Sequence, residues 1–233
     1  MTALLRSWLF TLPIAALVAA TDARAVRAQT TTARPPAPSL SRPTSAVKAP
    51  TGEGFLQRWL ILEPVPISGQ LTESAVEAAV KNDDLQRQLN TFPHDGESVK
   101  VGDAQLAWHA VDTLAYNVNL YHFAYALNRP TSNVLFSVAT VVHAPREMTD
   151  VRFAIGSNAA SVWWLNGREV VAIYNDRQTV IDDGVSKRLT LKQGANVIRG
   201  AILNAGGATD FCARFLDAQD RPLTGITVSL TER

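Results

Sequence analysis

The chain has 233 residues, with 22 lysines and arginines against 21 aspartates and glutamates, and a single cysteine. One thiol excludes an internal disulfide framework, and near-balanced charge with no basic cluster argues against nucleic acid as a partner. The first 52 residues hold six of the basic side chains and one of the acidic, leaving 16 basic against 20 acidic from Glu53 onward.

The N-terminus reads as an export signal. Arg6 supplies a basic start, Trp8 to Ala20 is apolar apart from Thr11, and small residues stand at Ala23/Ala25 and Val26/Ala28. The apolar run is too short and wrongly flanked for a membrane span, so residues 1–28 are expected to be cleaved after Ala28, with Ala25 as the alternative. No membrane span is then expected in the mature chain. Residues 29–52 are rich in Thr, Pro, Ala and Ser with scattered cations. Such a stretch buries too little apolar surface to offset the entropy of ordering and is expected to be a flexible linker. Residues 53–233 are long enough for one domain with a substantial core.

Phe55 to Leu62 reads as a first strand, closed by Pro64 and Pro66. Ser74-Ala75-Val76-Glu77 fits a capping box and predicts one helix from Ala75 to about Leu89. Strand signals then dominate: Leu106 to Leu114, Leu120 to Leu127, Val134 to His143 and Val151 to Ile155. Ser161-Val162-Trp163-Trp164-Leu165 and Glu169-Val170-Val171 flank Asn166-Gly167, a dipeptide suited to a hairpin turn in which both central residues need positive φ. Ser186 to Leu191, Ala195 to Leu203, Thr209 to Leu216 and Ile226 to Leu230 complete the set, separated by Gly-, Asn-, Asp- and Pro-bearing turns. Many short strands with regular turns and one helical excursion predict an all-β sandwich.

The order Phe55 to Leu62, Ile155-Gly156-Ser157-Asn158, Val162-Trp163-Trp164-Leu165-Asn166-Gly167-Arg168-Glu169-Val170, Leu189-Thr190-Leu191-Lys192-Gln193-Gly194-Ala195-Asn196 and Asn204 resembles the galactose-binding-domain-like jelly rolls of bacterial secreted hydrolases. It is similar to the sugar-binding domain of family 2 glycoside hydrolases and to accessory domains of secreted bacterial carbohydrate esterases. The resemblance covers the second half of the domain better than the first, and implies a jelly-roll sandwich in an accessory role. Its motifs mark fold: Asn166-Gly167 is a turn, and Gly194-x-Asn196 a tight turn into a core strand. Such domains often carry Ser-Asp-Asp before the Trp strand. This chain has Ser157-Asn158-Ala159-Ala160, which weakens the case for a cation there.

Adjacent strand residues face opposite ways, so Trp163 and Trp164 cannot both be core. The resemblance places Trp164 in the pattern's Trp position, with Trp163 inward beside Leu165. An outward Trp164 could stack on a sugar ring, or be covered by a loop such as Tyr174 to Asp183. Tyr174, Asn175, Asp176 and Arg177 combine an aromatic ring, an amide, a carboxylate and a guanidinium, the mixture that polyol recognition uses. The same residues could equally be a solvated loop. Asp182-Asp183-Gly184 offers two carboxylates for a structural Ca²⁺, although Asp-Gly is also a plain turn. No other cofactor is expected.

The enzyme class has little in the residues to carry it. There is no Gly-x-Ser-x-Gly elbow, His94, His109, His122 and His143 are scattered, and no zinc-ligand spacing occurs. No catalytic or metal-binding residue is therefore assigned. Cys212, inside Phe211 to Phe215, reads as a small buried hydrophobe, the alternative being a reactive thiol. The expected function is non-catalytic carbohydrate binding by an exported protein of the periplasm, cell surface or medium. The partner would be a polysaccharide or glycan, and any hydrolase or envelope protein it serves a separate chain. The alternatives are a structural or protein-interaction module of an envelope assembly, and a carbohydrate esterase or glycosidase-associated protein.

Overall fold

Two antiparallel sheets pack face to face, and the chain pattern shows why. A computed structural model describes residues 40–68, 72–81, 91–174 and 178–232. The expected signal segment, and the linker before Leu40, lie outside the described residues. In chain order the elements are β1 (Leu40–Ser41), β2 (Val47–Lys48), β3 (Arg58–Leu62), β4 (Val65–Pro66), α1 (Glu73–Val80), β5 (Ser98–Val101), β6 (Ala104–Thr113), β7 (Val118–Asn119), α2 (Leu120–Ala126), β8 (Val134–Ala144), β9 (Met148–Ser157), β10 (Ala160–Leu165), β11 (Arg168–Ile173), β12 (Gly184–Val185), β13 (Leu189–Leu191), β14 (Gly194–Asn204), β15 (Asp210–Leu216) and β16 (Thr227–Ser229).

The large sheet runs β1-β6-β3-β8-β14-β10-β11, with β16 and β4 also on β8, β2 on β16 and β5 on β6. The small sheet runs β12-β9-β15-β7, with β13 also on β9. Alternation divides the side chains into two clusters. Trp59, Ile61, Phe136, Val138, Trp163, Ile198 and Ile202 face inward and meet Phe153, Ile155, Phe211 and Phe215 of the small sheet. Leu60, Leu62, Trp108, Leu135, Ala139, Val162, Ala201 and Leu203 face outward into a second cluster with Val80 of α1 and Phe92. The large sheet is thus covered on both faces, which accounts for the near-unbroken apolar runs of β3 and β8, every residue of β3 being buried.

Three expectations change. Leu120–Ala126 is a helix rather than a strand: the Asn119 side chain accepts a hydrogen bond from the His122 N–H at 2.7 Å, and Leu120, Phe123 and Ala124 are buried on one face at helical spacing. The excursion helix starts two residues earlier than expected, capped by Thr72, whose hydroxyl accepts from the Ala75 N–H at 3.3 Å. It ends at Val80; the rest of its expected length lies outside the described residues. Leu40–Ser41 and Val47–Lys48, read from sequence as linker, pair with β6 and β16. The buried Arg58 helps hold them. It forks onto both oxygens of Asp112 at 2.8 and 2.9 Å and donates to the Ser45 carbonyl at 2.8 Å.

The hairpin expectation holds: Asn166 and Gly167 have φ of 51° and 80°. Gly194-x-Asn196 also acts as a turn. The buried Asn196 amide accepts from the Lys192 N–H and donates to the Lys192 and Gly194 carbonyls. Opposite Trp163 in the register lies Gly200, and a Cβ there would fall 2.5 Å from the indole ring. Gly200→Ala is therefore expected to lower stability by about 1–3 kcal/mol, the usual cost of overpacking a core, while leaving the far-ultraviolet circular dichroism unchanged; urea unfolding measures it.

Candidate functional site

The register of the large sheet assembles a polar row on its outer face. Trp164 pairs with Glu169 on one side and Arg199 on the other, and Arg199 pairs with Ala139. A bulge makes this row. Trp163 pairs with Val171 and Trp164 with Glu169, so Val170 is left over, and Glu169 comes level with Trp164 on the outside while Val171 stays in the core. With strands about 4.8 Å apart, a carboxylate, an indole and a guanidinium stand side by side.

Trp164 is half-buried on this outer face, and Trp163 is fully buried with its indole N–H donated to Ser161 Oγ at 3.0 Å. The opposite facing expected of the pair is thus what the structure has. The cover of Trp164 includes α1, which lies on β10 and β14 with Val76, Ala79 and Val80 in the same cluster as the indole. Tyr174, at the end of β11, joins that cluster. Residues 178–183 lie elsewhere, over the outer face of the small sheet. There Gly156 leaves room for the Val180 carbonyl, and Arg214 forks onto Asp182. Asn175, Asp176 and Arg177 lie outside the described residues.

Lys81, just past α1, closes the row. Its ammonium sits 5.6 Å from the Tyr174 ring centroid, 3.2 Å from Glu77 Oε1 and 3.9 Å from Glu169 Oε2. Hydrogen bonding to Tyr174, then to Glu77, holds its pKa above the ordinary lysine range, so it is cationic at any physiological pH. Arg199 donates Nη2 to the Thr91 carbonyl at 2.9 Å, and its Nη1 is enclosed without a hydrogen-bond partner. Burial pulls its pKa below the usual arginine value. Sequence reasoning missed Glu169, Arg199 and Lys81. Alternation along β14 places Arg199 outward, but which residues stand beside it depends on register and on the bulge.

His143 Nε2 lies 2.8 Å from Ser229 Oγ. The Ser229 hydroxyl is also 2.7 Å from the Thr231 carbonyl, which can only accept. The serine proton therefore goes to Thr231, and His143 is the donor to Ser229, the reverse of the direction that activates a nucleophile. His109 Nε2 lies 3.3 Å from Glu63 Oε1, whose other oxygen receives Arg129 at 2.6 Å; this buried carboxylate is an ion-pair hub. Ser157 spends its hydroxyl on the Ala159 carbonyl at 2.9 Å. Asp182, one of the two carboxylates considered for Ca²⁺, is committed to Arg214. Cys212 is buried and its thiol is pushed up to about 11 by that burial, so it is protonated at neutral pH.

No family model matches the sequence, and neither does any curated protein. Among solved structures, the chain is similar to a β-glucosidase from Kluyveromyces marxianus in complex with glucose, at 18% identity and a TM-score of 0.40. That match covers 68% of this chain and 16% of the glucosidase, so the chain spans about a sixth of its length. It is also similar to the PA14 domain of the MpAFP antifreeze protein, at 15% identity and a TM-score of 0.39, covering 79% of this chain and 95% of that one. A third is the A domain of a subtype-switched epithelial adhesin from Candida glabrata in complex with β-lactose, at 13% identity and a TM-score of 0.36, covering 82% and 92%. Identity and superposition are low in all three.

The native protein is expected to resist labelling by a fluorophosphonate at Ser229 and by iodoacetamide at Cys212 at pH 7.5, with Cys212 alkylated after denaturation in guanidinium. Mass spectrometry of the two samples checks both.

Proposed function

We propose that this domain is an exported, non-catalytic glycan-binding module, and that the outer face of β10, β11 and β14 holds the ligand. The observation that carries the reading is the row Glu169–Trp164–Arg199 with Tyr174 and Lys81 at its edge. A sugar ring presents an apolar C–H face and a periphery of hydroxyls. The half-buried indole supplies the stacking surface, Glu169 accepts from hydroxyls, and Lys81 donates to their oxygens, while Arg199 backs the row from its enclosed position. Ordering is already done in the free protein, because the ion pairs of Lys81 and the packing of α1 fix the site's edge. Asn175, Asp176 and Arg177 follow Tyr174 directly in the chain and belong to the same proposed site. The partner class is a polysaccharide or cell-surface glycan. Among the described residues no helix is long and apolar enough to cross a membrane.

A protein-interaction module is the second reading. Leu114 is 73% exposed, and the exposed Tyr116 leans on Phe55 with ring centroids 5.4 Å apart. This patch is remote in sequence from the Trp164 row, so the two readings part cleanly under mutation.

Affinity electrophoresis through gels containing neutral plant and bacterial polysaccharides tests the proposal. Retardation by at least one polymer is expected, weakened about tenfold or more by Trp164→Ala, with circular dichroism unchanged and a urea midpoint lowered by the indole's lost packing against α1 but still showing a folded domain. Retardation that survives Trp164→Ala but falls with Leu114→Ser/Tyr116→Ser would move the binding surface to the second patch. Absence of retardation by any polymer would remove the glycan reading.

A further inference from the structure

A second concavity lies across the β11 edge from the Trp164 row. It is a cleft of about 610 Å³, bounded by Asn166 and Arg168 of the β10–β11 hairpin, Thr149 and Asp150 of β9, and Arg188, Thr190 and Lys192 around β13. Its floor is apolar: Leu165, Val170 and Leu189. Arg168 pairs with Leu165 in the hairpin, so it lies on the core side of β11, opposite to Trp164 and Glu169.

The walls are braced from behind. The buried Asn196 carbonyl accepts from Asn166 Nδ2 at 3.0 Å and from the Lys192 N–H at 3.0 Å, tying the hairpin wall to the β13 wall. Arg188 donates to the Asp150 and Asp217 carbonyls and pairs with Asp220 at 3.0 Å, fixing the third wall and using up its own charge. Asp150 is held there with φ of 58°, in the left-handed region.

Two cations and one anion on these walls are left uncommitted. Among the described residues the side chains of Arg168 and Lys192 have no hydrogen-bond or ion-pair partner, and the Asp150 carboxylate has none either. Two free cations call for an anionic group. A carboxylate on the facing wall rules against a bare inorganic anion, which it would repel, and favours a ligand that brings hydroxyl donors beside its negative charge. An apolar floor of Leu165, Val170 and Leu189 suits the C–H face of a pyranose. The volume lies within the roughly 300–1,000 Å³ of small-molecule sites.

We propose that this cleft is a subsite for a hexuronate unit of an acidic glycan. The sugar carboxylate would be bound by Arg168 and Lys192, and its hydroxyls by Asp150, Thr149 and Thr190. The inference deepens the glycan-binding reading and rests on it, but uses none of the residues of the Trp164 row.

Calorimetric titration of the whole protein with trigalacturonate tests the cleft, alongside galacturonate monomer and inorganic sulfate. Binding of trigalacturonate is expected, weakened tenfold or more in Arg168→Gln/Lys192→Gln and by raised salt, and unchanged in Trp164→Ala. Asp150→Asn is expected to weaken the uronate while strengthening sulfate. All three positions are exposed and outside the core, and a matching urea midpoint confirms folding. No binding of trigalacturonate by the wild type, or binding that the double variant leaves intact, overturns the proposal. Sulfate binding as tight as that of the uronate would also overturn it, by reducing the cleft to an anion site. Neutral-polymer retardation in the same preparations reports separately on the Trp164 row, so failure of one reading is told from failure of the other.

Discussion

Trp163 is the residue around which the two sheets close. Its ring meets Trp59 at 5.9 Å, Phe211 at 5.0 Å and Phe153 at 6.0 Å, in tilted and edge-on arrangements, and Trp59 meets Phe211 at 5.0 Å. Such pairs stabilise by about 0.5–1.5 kcal/mol each beyond the area they bury. The ring needs the empty volume at Gly200 and a hydroxyl at Ser161 for its N–H. Once this side chain points inward, strand geometry sends Trp164 outward, and the position of every other residue on β10 follows.

The outer face then depends on how well it is covered. α1 and Phe92 pack over Leu60, Leu62, Trp108 and Val162, and the polar row lies beside them, where Lys81 reaches Glu169 of β11. The helix therefore does two things: it buries apolar surface that would otherwise invite aggregation, and through Lys81 it supplies a cation to the edge of the exposed strip.

Local chemistry was readable from sequence where one residue type alone decides the outcome. Asn166-Gly167 demands positive φ twice, and two adjacent tryptophans on a strand must part. The Leu120–Ala126 helix was misread because Leu-Tyr-His-Phe-Ala-Tyr-Ala satisfies a two-residue and a helical period alike; the Asn119 cap decides between them, and an Asn before an apolar run is also an ordinary loop residue. Leu40 and Val47 sit in a polar, proline-bearing stretch, and their pairing depends on Arg58 and Asp112 meeting across the sheet. Glu169 and Arg199 were invisible for a related reason. Their place beside Trp164 comes from a bulge and from a partner strand 35 residues downstream, neither of which leaves a local signature.

The bracing of Trp163 by Gly200 also divides the hairpin into two kinds of inheritance. Positions 163 and 200 are coupled, since a smaller ring leaves a void and a larger neighbour a clash, so a change at either costs stability unless the other changes with it. Position 164, one residue along the same strand, faces no close backbone partner and answers only to the α1 cluster that covers part of its ring. A lineage of such domains could exchange the outward aromatic, or the charges flanking it, one mutation at a time while the sandwich stays intact. Ligand preference would then evolve at a cost in stability confined to the outer face, with the inter-sheet core unaltered.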